Sequence, residues 1–455
     1  MVWEAYNGKT LFLTGTTGFV GSALLLRLLS QSRPERVFVL CRGGAKGAAS
    51  KWAKLLPELQ ATALVQDPRI TVLDGDMTSI DFGLSDSDVQ LLRESVHFFI
   101  HAASTIHLRM KLRELSYSVI APSVWLARLA FSSRKLERFV FISTAYANAH
   151  LWTQDASCSD VQIKEQIYPL IKDENPFFAA PNAWQDVQKN GSTAEFEAHN
   201  YPWAYAYAKH LTERLLLFFA SQRGVLGKLL IVRPSVIGPA QQYPFPGFST
   251  ATSTPTTACA TAFVLHPGRS MLFATRCTDP ARTSTIDEVP VDVVVDRTLA
   301  HLAAGTSGCV HAVAGAPGRV TIEDWARANN KERRIPWHVK LKWTDADWHA
   351  RQLCPLARIF KIVGTSFDFR QDKTDALARQ LPQHELQALK LYMDTSADYS
   401  VASRRRHIRE LGIEMAQRKK WPVFLVKLMC RKEARLQQQP HVYPQDSAET
   451  PLSEK

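Results

Sequence analysis

Uninterrupted apolar runs, separated by stretches of helical spacing, set the pattern of the first 150 residues. TLFLT (10–14), VFVLCR (37–42), ITVLDGD (70–76), VHFFIHAA (96–103) and RFVFISTA (138–145) carry little polar alternation, as strands covered on both faces do. Phe19 to Leu29 is apolar at helical spacing. KLLIVRPS (228–235) repeats the strand pattern, and GCVHAVAG (308–315) offers one more strand. TIEDWARANN (321–330) predicts a helix opened by a Thr cap, with Glu323 and Asp324 in the first turn. Strands alternating with helices predict an α/β chain built on a doubly wound parallel sheet.

Two stretches break this rhythm. Residues 147–200 are weakly periodic, and 239–290 are rich in Pro, Thr and Ser. Both leave the carboxyl ends of expected strands, where open α/β sheets bind ligands, so they are expected to wall a substrate site. From about Lys331 the chain turns helical, basic and Trp-containing. The expected organisation is a reductase-sized unit over 1–335, a C-terminal helical region over 336–436, and a tail, 437–455, too poor in large apolar groups to order.

The first strand leads directly into Gly15, Gly18 and Gly21. Strand, glycine turn and helix in that order form a dinucleotide fingerprint of Rossmann type. Gly15 permits the tight turn, Gly18 lets backbone N–H groups reach a pyrophosphate at the helix N-terminus, and Gly21 lets helix and strand pack closely. Thr17, Phe19 and Val20 share this turn. An NAD enzyme commonly ends its second strand on an acid that binds the ribose 2′-OH. Here the strand ends Cys41-Arg42, with Lys46 in the glycine-rich stretch beyond. A guanidinium suits a 2′-phosphate, which favours NADPH. Asp76, followed by Met77, ends the third strand and is placed for the adenine amino group; Ala102 closes the fourth.

Reducing a carbonyl by hydride requires a proton donor on the oxygen and a second hydroxyl to orient it. Tyr and Lys four apart on a helix share one face. Tyr168–Lys172 encloses Pro169 in a loop-like setting, whereas Tyr205–Lys209 opens a long helical run, so Tyr205 and Lys209 are the catalytic candidates. Thr144, at the end of the fifth strand, is the candidate hydroxyl partner, with Ser143 second.

These residues give the chain a resemblance to the extended short-chain dehydrogenase/reductases, and more narrowly to the fatty acyl-CoA reductases, also called male-sterility-type or thioester reductases. The motifs are TGTTGFVG (14–21), FISTAYANAH (141–150), EQIYPL (165–170), YAYAKHLTE (205–213), IVRPSVIGP (231–239), YPFPGF (243–248) and VPVDVVVD (289–296). SFDFRQD (366–372) resembles the family's C-terminal region more loosely. The resemblance implies NADPH-dependent reduction of an acyl-CoA or carrier-bound acyl thioester to aldehyde or alcohol. It makes Thr144, Tyr205 and Lys209 the catalytic triad and places the Pro234-Ser235 turn against the nicotinamide. One departure stands out: related enzymes carry Asn-x-x-Gly after the fourth strand, where this chain reads SYSVIAPSVWLARLA (116–130). Val119 or Ser118 takes the Asn place and Pro122 the Gly place, so a proton relay here would run differently, Ser118 being one route. Two other readings stay open: an extended reductase of a small ketone, sterol or nucleotide sugar, and a cofactor-sensing regulator without catalysis.

Charge and cysteines refine this picture. The seven cysteines, Cys41, Cys158, Cys259, Cys277, Cys309, Cys354 and Cys430, are scattered and form no CxxC, which suits a reducing compartment and argues against a structural metal. MVWEAYNGK carries no signal-peptide pattern, so a cytoplasmic, non-secreted chain is expected. Of the +12 net charge, +8 falls in 401–436. That segment reads either as a solvated basic helix or as a contact with an anionic membrane surface; no finger or aromatic-interleaved basic motif points to nucleic acid. Within it WPVFLVKLM (421–429) is apolar between basic flanks and too short to span a bilayer.

Overall fold

The computed structural model describes residues 1–154, 160–171, 175, 177–250, 253–396 and 404–431. The expected tail, Cys158 and Lys172 lie outside these residues. The apolar runs form strands β1 (Thr10–Thr14), β2 (Arg36–Cys41), β3 (Ile70–Asp74), β4 (Phe98–His101) and β5 (Arg138–Ile142), followed by Leu229–Pro234 and Gly308–Ala312. Together they make one seven-stranded sheet, ordered Gly308–Ala312, Leu229–Pro234, β5, β4, β1, β2, β3. Every pairing is parallel. The expected doubly wound sheet is therefore present, with β1 at its centre.

The uniform apolar character of these strands has a simple cause. Alternate side chains enter opposite faces of a sheet, and here both faces are covered. Leu11, Leu13, Val37, Val39, Ile100 and Val140 enter one core with helix α1 (Phe19–Gln31) and helix Val291–Ala303. Phe12, Phe38, Phe99, Phe139 and Phe141 enter the other, beneath Ala121–Phe131 and the long helix Ala204–Gln222. One face is thus largely aliphatic and the other aromatic.

Several strands stop short of their apolar runs. β2 ends at Cys41, and Gly43 at φ 85° turns the chain into helix α2 (Gly44–Leu55). Lys46 therefore lies in a helix's first turn, not in a glycine-rich loop. β3 ends at Asp74, whose carboxylate accepts the Gly43 N–H at 2.8 Å. Asp76 lies two residues beyond that strand, not at its end.

Beyond 335 helices predominate, but two strands interrupt them. Lys340–Thr344 pairs in parallel with Ser270–Ala274 of the second inserted stretch. Phe367–Phe369 pairs in parallel with Val161–Ile163 of the first. The inserted stretches and the C-terminal residues complete one another's small sheets. Among the described residues no helix is long and apolar enough to cross a membrane.

The glycine turn is set by close approach. Gly15 has φ 78°, and a Cβ there would lie 2.6 Å from the Ala103 nitrogen. A Cβ on Gly21 would lie 2.2 Å from the Gly15 carbonyl oxygen, whereas one on Gly18 would lie 3.2 Å from it. Gly21→Ala is therefore expected to destabilise the protein by about 1–3 kcal/mol, and Gly18→Ala by less. Urea unfolding of both variants beside the wild type measures the order.

Candidate functional site

Helix Ala204–Gln222 lies against the carboxyl ends of the central strands and presents Tyr205 and Lys209 on one face, a turn apart. Lys209 Nζ donates to the Ile142 carbonyl at 2.9 Å, at the very end of β5. It also stands 4.5 Å from the Phe141 ring centre and 6.0 Å from that of Tyr205. Both side chains are buried. Burial pushes the Lys209 ammonium down to about 7, with Glu213 one turn on acting the other way. Burial raises the Tyr205 phenol.

Thr144 follows β5 and caps the short turn Ala145–Asn148. Its hydroxyl accepts the Tyr146 N–H at 3.3 Å and donates to the Pro234 carbonyl at 3.4 Å. Both contacts are long for hydrogen bonds, so the hydroxyl is open to a better acceptor. Pro234 and Thr144 thus meet, and the Ser235 N–H donates to Ala312. Ser143 turns away, donating to Glu213 at 2.5 Å. Glu213 also takes Nε and Nη2 of Arg233 at 2.9 and 2.5 Å, all fully buried. Breaking such a pair by removing one partner costs about 3–5 kcal/mol.

His101, the last residue of β4, connects this group to the glycine turn. Its Nδ1 lies 2.7 Å from the Thr14 hydroxyl and its Nε2 3.0 Å from the Ser123 hydroxyl. Thr14 immediately precedes Gly15 and accepts the Ala103 N–H at 3.3 Å. Burial, then the Lys209 charge, lowers His101 to about 3, which keeps the imidazole neutral. His101 thus stands between the glycine turn, which it meets through Thr14, and Lys209, whose charge reaches it.

At the turn, Gly18 caps α1 without a side-chain bond. The first-turn N–H groups of Phe19, Val20 and Gly21 consequently have no intrahelical acceptor and suit a phosphate. Thr17 and Val20 are half-buried beside them, Phe19 packs into the core, and Ala102 backs Gly15. Arg42 is largely exposed and 3.8 Å from Asp76. The Thr78 N–H and hydroxyl, and more weakly Arg42, hold the Asp76 carboxyl below its ordinary range. Met77 packs against the aromatic core. Lys46 is exposed on α2. These residues fit a nicotinamide dinucleotide: donors and glycines for phosphates, and a largely exposed guanidinium, loosely paired with Asp76, just past the second strand's end.

A family model described as Male sterility protein, of NAD-binding type, matches residues 13–298. The chain belongs to the male sterility protein family. Among curated members it is 30% identical over 304 residues to fatty acyl-CoA reductase 1 of Xenopus laevis, covering 65% of this chain and 55% of that protein. It is 27% identical over 302 residues to fatty acyl-CoA reductase 2 of Homo sapiens, covering 65% and 54%. The chain spans about half the length of these relatives. In fold it is similar to the terminal R domain of the myxalamid PKS-NRPS pathway (TM-score 0.54, 16% identity, 91% and 92% covered). The aureusimine cluster reductase domain is likewise similar (TM-score 0.56, 14% identity, 90% and 92% covered).

Within this male sterility family chain, the stretch that departs from Asn-x-x-Gly adopts an unexpected form. Ser116–Ile120 is a π-helical turn that runs directly into helix Ala121–Phe131, so Pro122 lies inside a continuous helical run and the π turn just before it absorbs the break in the backbone ladder. The Ser118 hydroxyl is spent on the Glu114 carbonyl at 2.9 Å. Ser118 is thus not aimed at the site; Ser123 is, through His101, and it donates to the Val119 carbonyl at 2.6 Å. Tyr168, the competing tyrosine, spends its hydroxyl on the Lys164 N–H at 2.8 Å, and its carbonyl lies 3.0 Å from the His210 Nε2. Sequence reasoning missed His101, Ser123, Glu213 and Arg233; for His101 and Arg233 the available signal was a polar residue inside an apolar strand run, and the helical Ser123 and Glu213 gave none. Among the described residues no His, Cys, Asp and Glu group could hold a metal.

The buried Lys209 sets a pH signature. Its native value of about 7 lies below the ordinary 10.5, so between those values the unfolded chain binds more protons. Stability should rise from pH 7 towards 10 as this penalty is relieved. Urea unfolding across that range should show the rise in wild type and a smaller one in Lys209→Met.

Proposed function

We propose that this chain reduces an acyl thioester, carried by CoA or a carrier protein, using NADPH. One observation carries the reading. Tyr205 sits in an apolar cluster to which the loop after β4 (Leu108, Met110), both inserted stretches (Trp152, Ile163, Cys277) and the C-terminal residues (Trp348, Phe367) all contribute. A phenol beside a buried ammonium in such surroundings suits an acyl chain better than a nucleotide sugar. The family membership and the fatty acyl-CoA reductase relatives support the same choice.

When bound, the reduced nicotinamide supplies hydride to the thioester carbon. The chain's own residues do the remaining work. Thr144 and Tyr205 donate hydrogen bonds to the carbonyl oxygen as negative charge builds there. Tyr205 then gives up its phenolic proton, and the Lys209 ammonium stabilises the phenolate left behind. The resulting hemithioacetal expels its thiol to leave an aldehyde. Phe19, Val20 and Gly21 would hold the pyrophosphate through their N–H groups, and Arg42 would pair with the 2′-phosphate. Residues 1–335 would form the cofactor-binding unit, with Trp348, Phe367 and Phe369 of the C-terminal region completing the wall around Tyr205.

Tyr205→Phe should lower turnover roughly 100-fold or more, about 3 kcal/mol of lost stabilisation, with NADPH affinity retained. NADPH oxidation over acyl-CoAs of graded length, with fluorescence titration of NADPH, measures both; wild-type turnover in the variant removes Tyr205 from the mechanism. Arg42→Ala should weaken NADPH roughly tenfold or more and leave NADH nearly unchanged. Equal losses for the two cofactors would remove Arg42 from the 2′-phosphate site.

A further inference from the structure

The helix Val423–Met429 is seated by one side and bare on the other. Val426 and Cys430 are buried; a Cβ on Gly412 would lie 3.0 Å from Val426, and Arg333 bridges Cys430. The Arg334 N–H donates to the Met429 carbonyl at 2.9 Å. The opposite face carries Phe424, Leu425 and Leu428, which are 60, 41 and 58% exposed, and Trp421, 51% exposed, stands just before the helix. Phe424, Leu425 and Leu428 share the outward side of this helix, and Trp421, just ahead of the extended Pro422, prolongs the exposed apolar stripe at its N-terminal end. Large apolar side chains at this density on an exposed helix mark an interaction surface.

Cations flank the stripe. Arg418, Lys419 and Lys420 are exposed immediately before it, and Lys427 is exposed beside it. Arg418 is partly answered by Glu414, and Lys419 Nζ lies 4.8 Å from the Trp421 ring centre. An apolar stripe containing Trp and edged by Lys and Arg is complementary to the headgroup boundary of an anionic bilayer. A second copy of this chain fits poorly, because pairing stripe to stripe brings the same cations together in a molecule of net charge +12.

We propose that this stripe docks the chain peripherally on an anionic lipid surface, inserting Trp421, Phe424, Leu425 and Leu428 between headgroups. Docking rests on this surface alone and is independent of the catalytic reading. The test is co-sedimentation of the full chain with phosphatidylserine-rich and with pure phosphatidylcholine vesicles, at low and high salt. Wild type should prefer the anionic vesicles and release as salt rises. Phe424→Ser/Leu428→Ser and, separately, Lys420→Glu/Lys427→Glu should each cut binding roughly tenfold or more. Circular dichroism and thermal unfolding show that the variants remain folded, as expected for changes at exposed positions. Absence of wild-type binding, or undiminished binding by either folded variant, overturns the proposal. So does a wild-type dimer, seen by light scattering, that Phe424→Ser/Leu428→Ser dissolves, since a second copy would then own the stripe.

Discussion

Glu213 is the point on which the active face turns. Its carboxylate, buried on the long helix, takes both nitrogens of the Arg233 fork and the Ser143 hydroxyl. Arg233 reaches further, donating to the Gln166 carbonyl at 2.7 Å. One carboxylate thus joins helix Ala204–Gln222 to the end of β5, to strand Leu229–Pro234 and to the first inserted stretch. Charges taken this far from water persist only with full, well-aligned partnering, so the pair tolerates little sliding or rotation of the helix. Lys209 and Tyr205 lie one and two turns upstream on the same side, and their aim follows from that constraint.

The surroundings of Lys209 are otherwise poor in counter-charge. It has one carbonyl acceptor, a phenylalanine face and a neutral imidazole nearby. The Thr14 and Ser123 hydroxyls occupy both nitrogens of that imidazole, which leaves it no call on the ammonium. In a medium this weakly screening, negative charge arising on a bound oxygen or on the phenol draws more from the ammonium than it would in water. The depressed proton affinity of Lys209 and its suitability for the proposed chemistry are two aspects of the same burial.

Much of the frame was legible because strands covered on both faces leave unbroken apolar runs, and the glycine turn because Gly15 and Gly21 have no steric alternative. Strand ends were less legible. They depend on bonds such as Gly43 to Asp74, which join residues 31 apart. Ser118 takes the Asn place of the resembled motif, but within the π turn its hydroxyl goes to the Glu114 carbonyl, and Ser123 is the residue that meets His101. Pro122 signalled a disturbance without revealing its form. His101 and Arg233 stood out as polar residues in apolar strands, yet their partners lie on other elements. The short strands Lys340–Thr344 and Phe367–Phe369 do alternate polar and apolar residues, but over runs so short that only their long-range partners make them strands.

That pairing bears on how the molecule is assembled. Val161–Ile163 waits for Phe367–Phe369, about 200 residues further along the chain. Contacts of such sequence separation form slowly, because the loop must be closed before it is rewarded. During synthesis the glycine turn and its helix are complete long before the wall around Tyr205 gains its last strand. A chain cut short before residue 367 would still carry all seven strands of the parallel sheet but lack the strand that closes its apolar side.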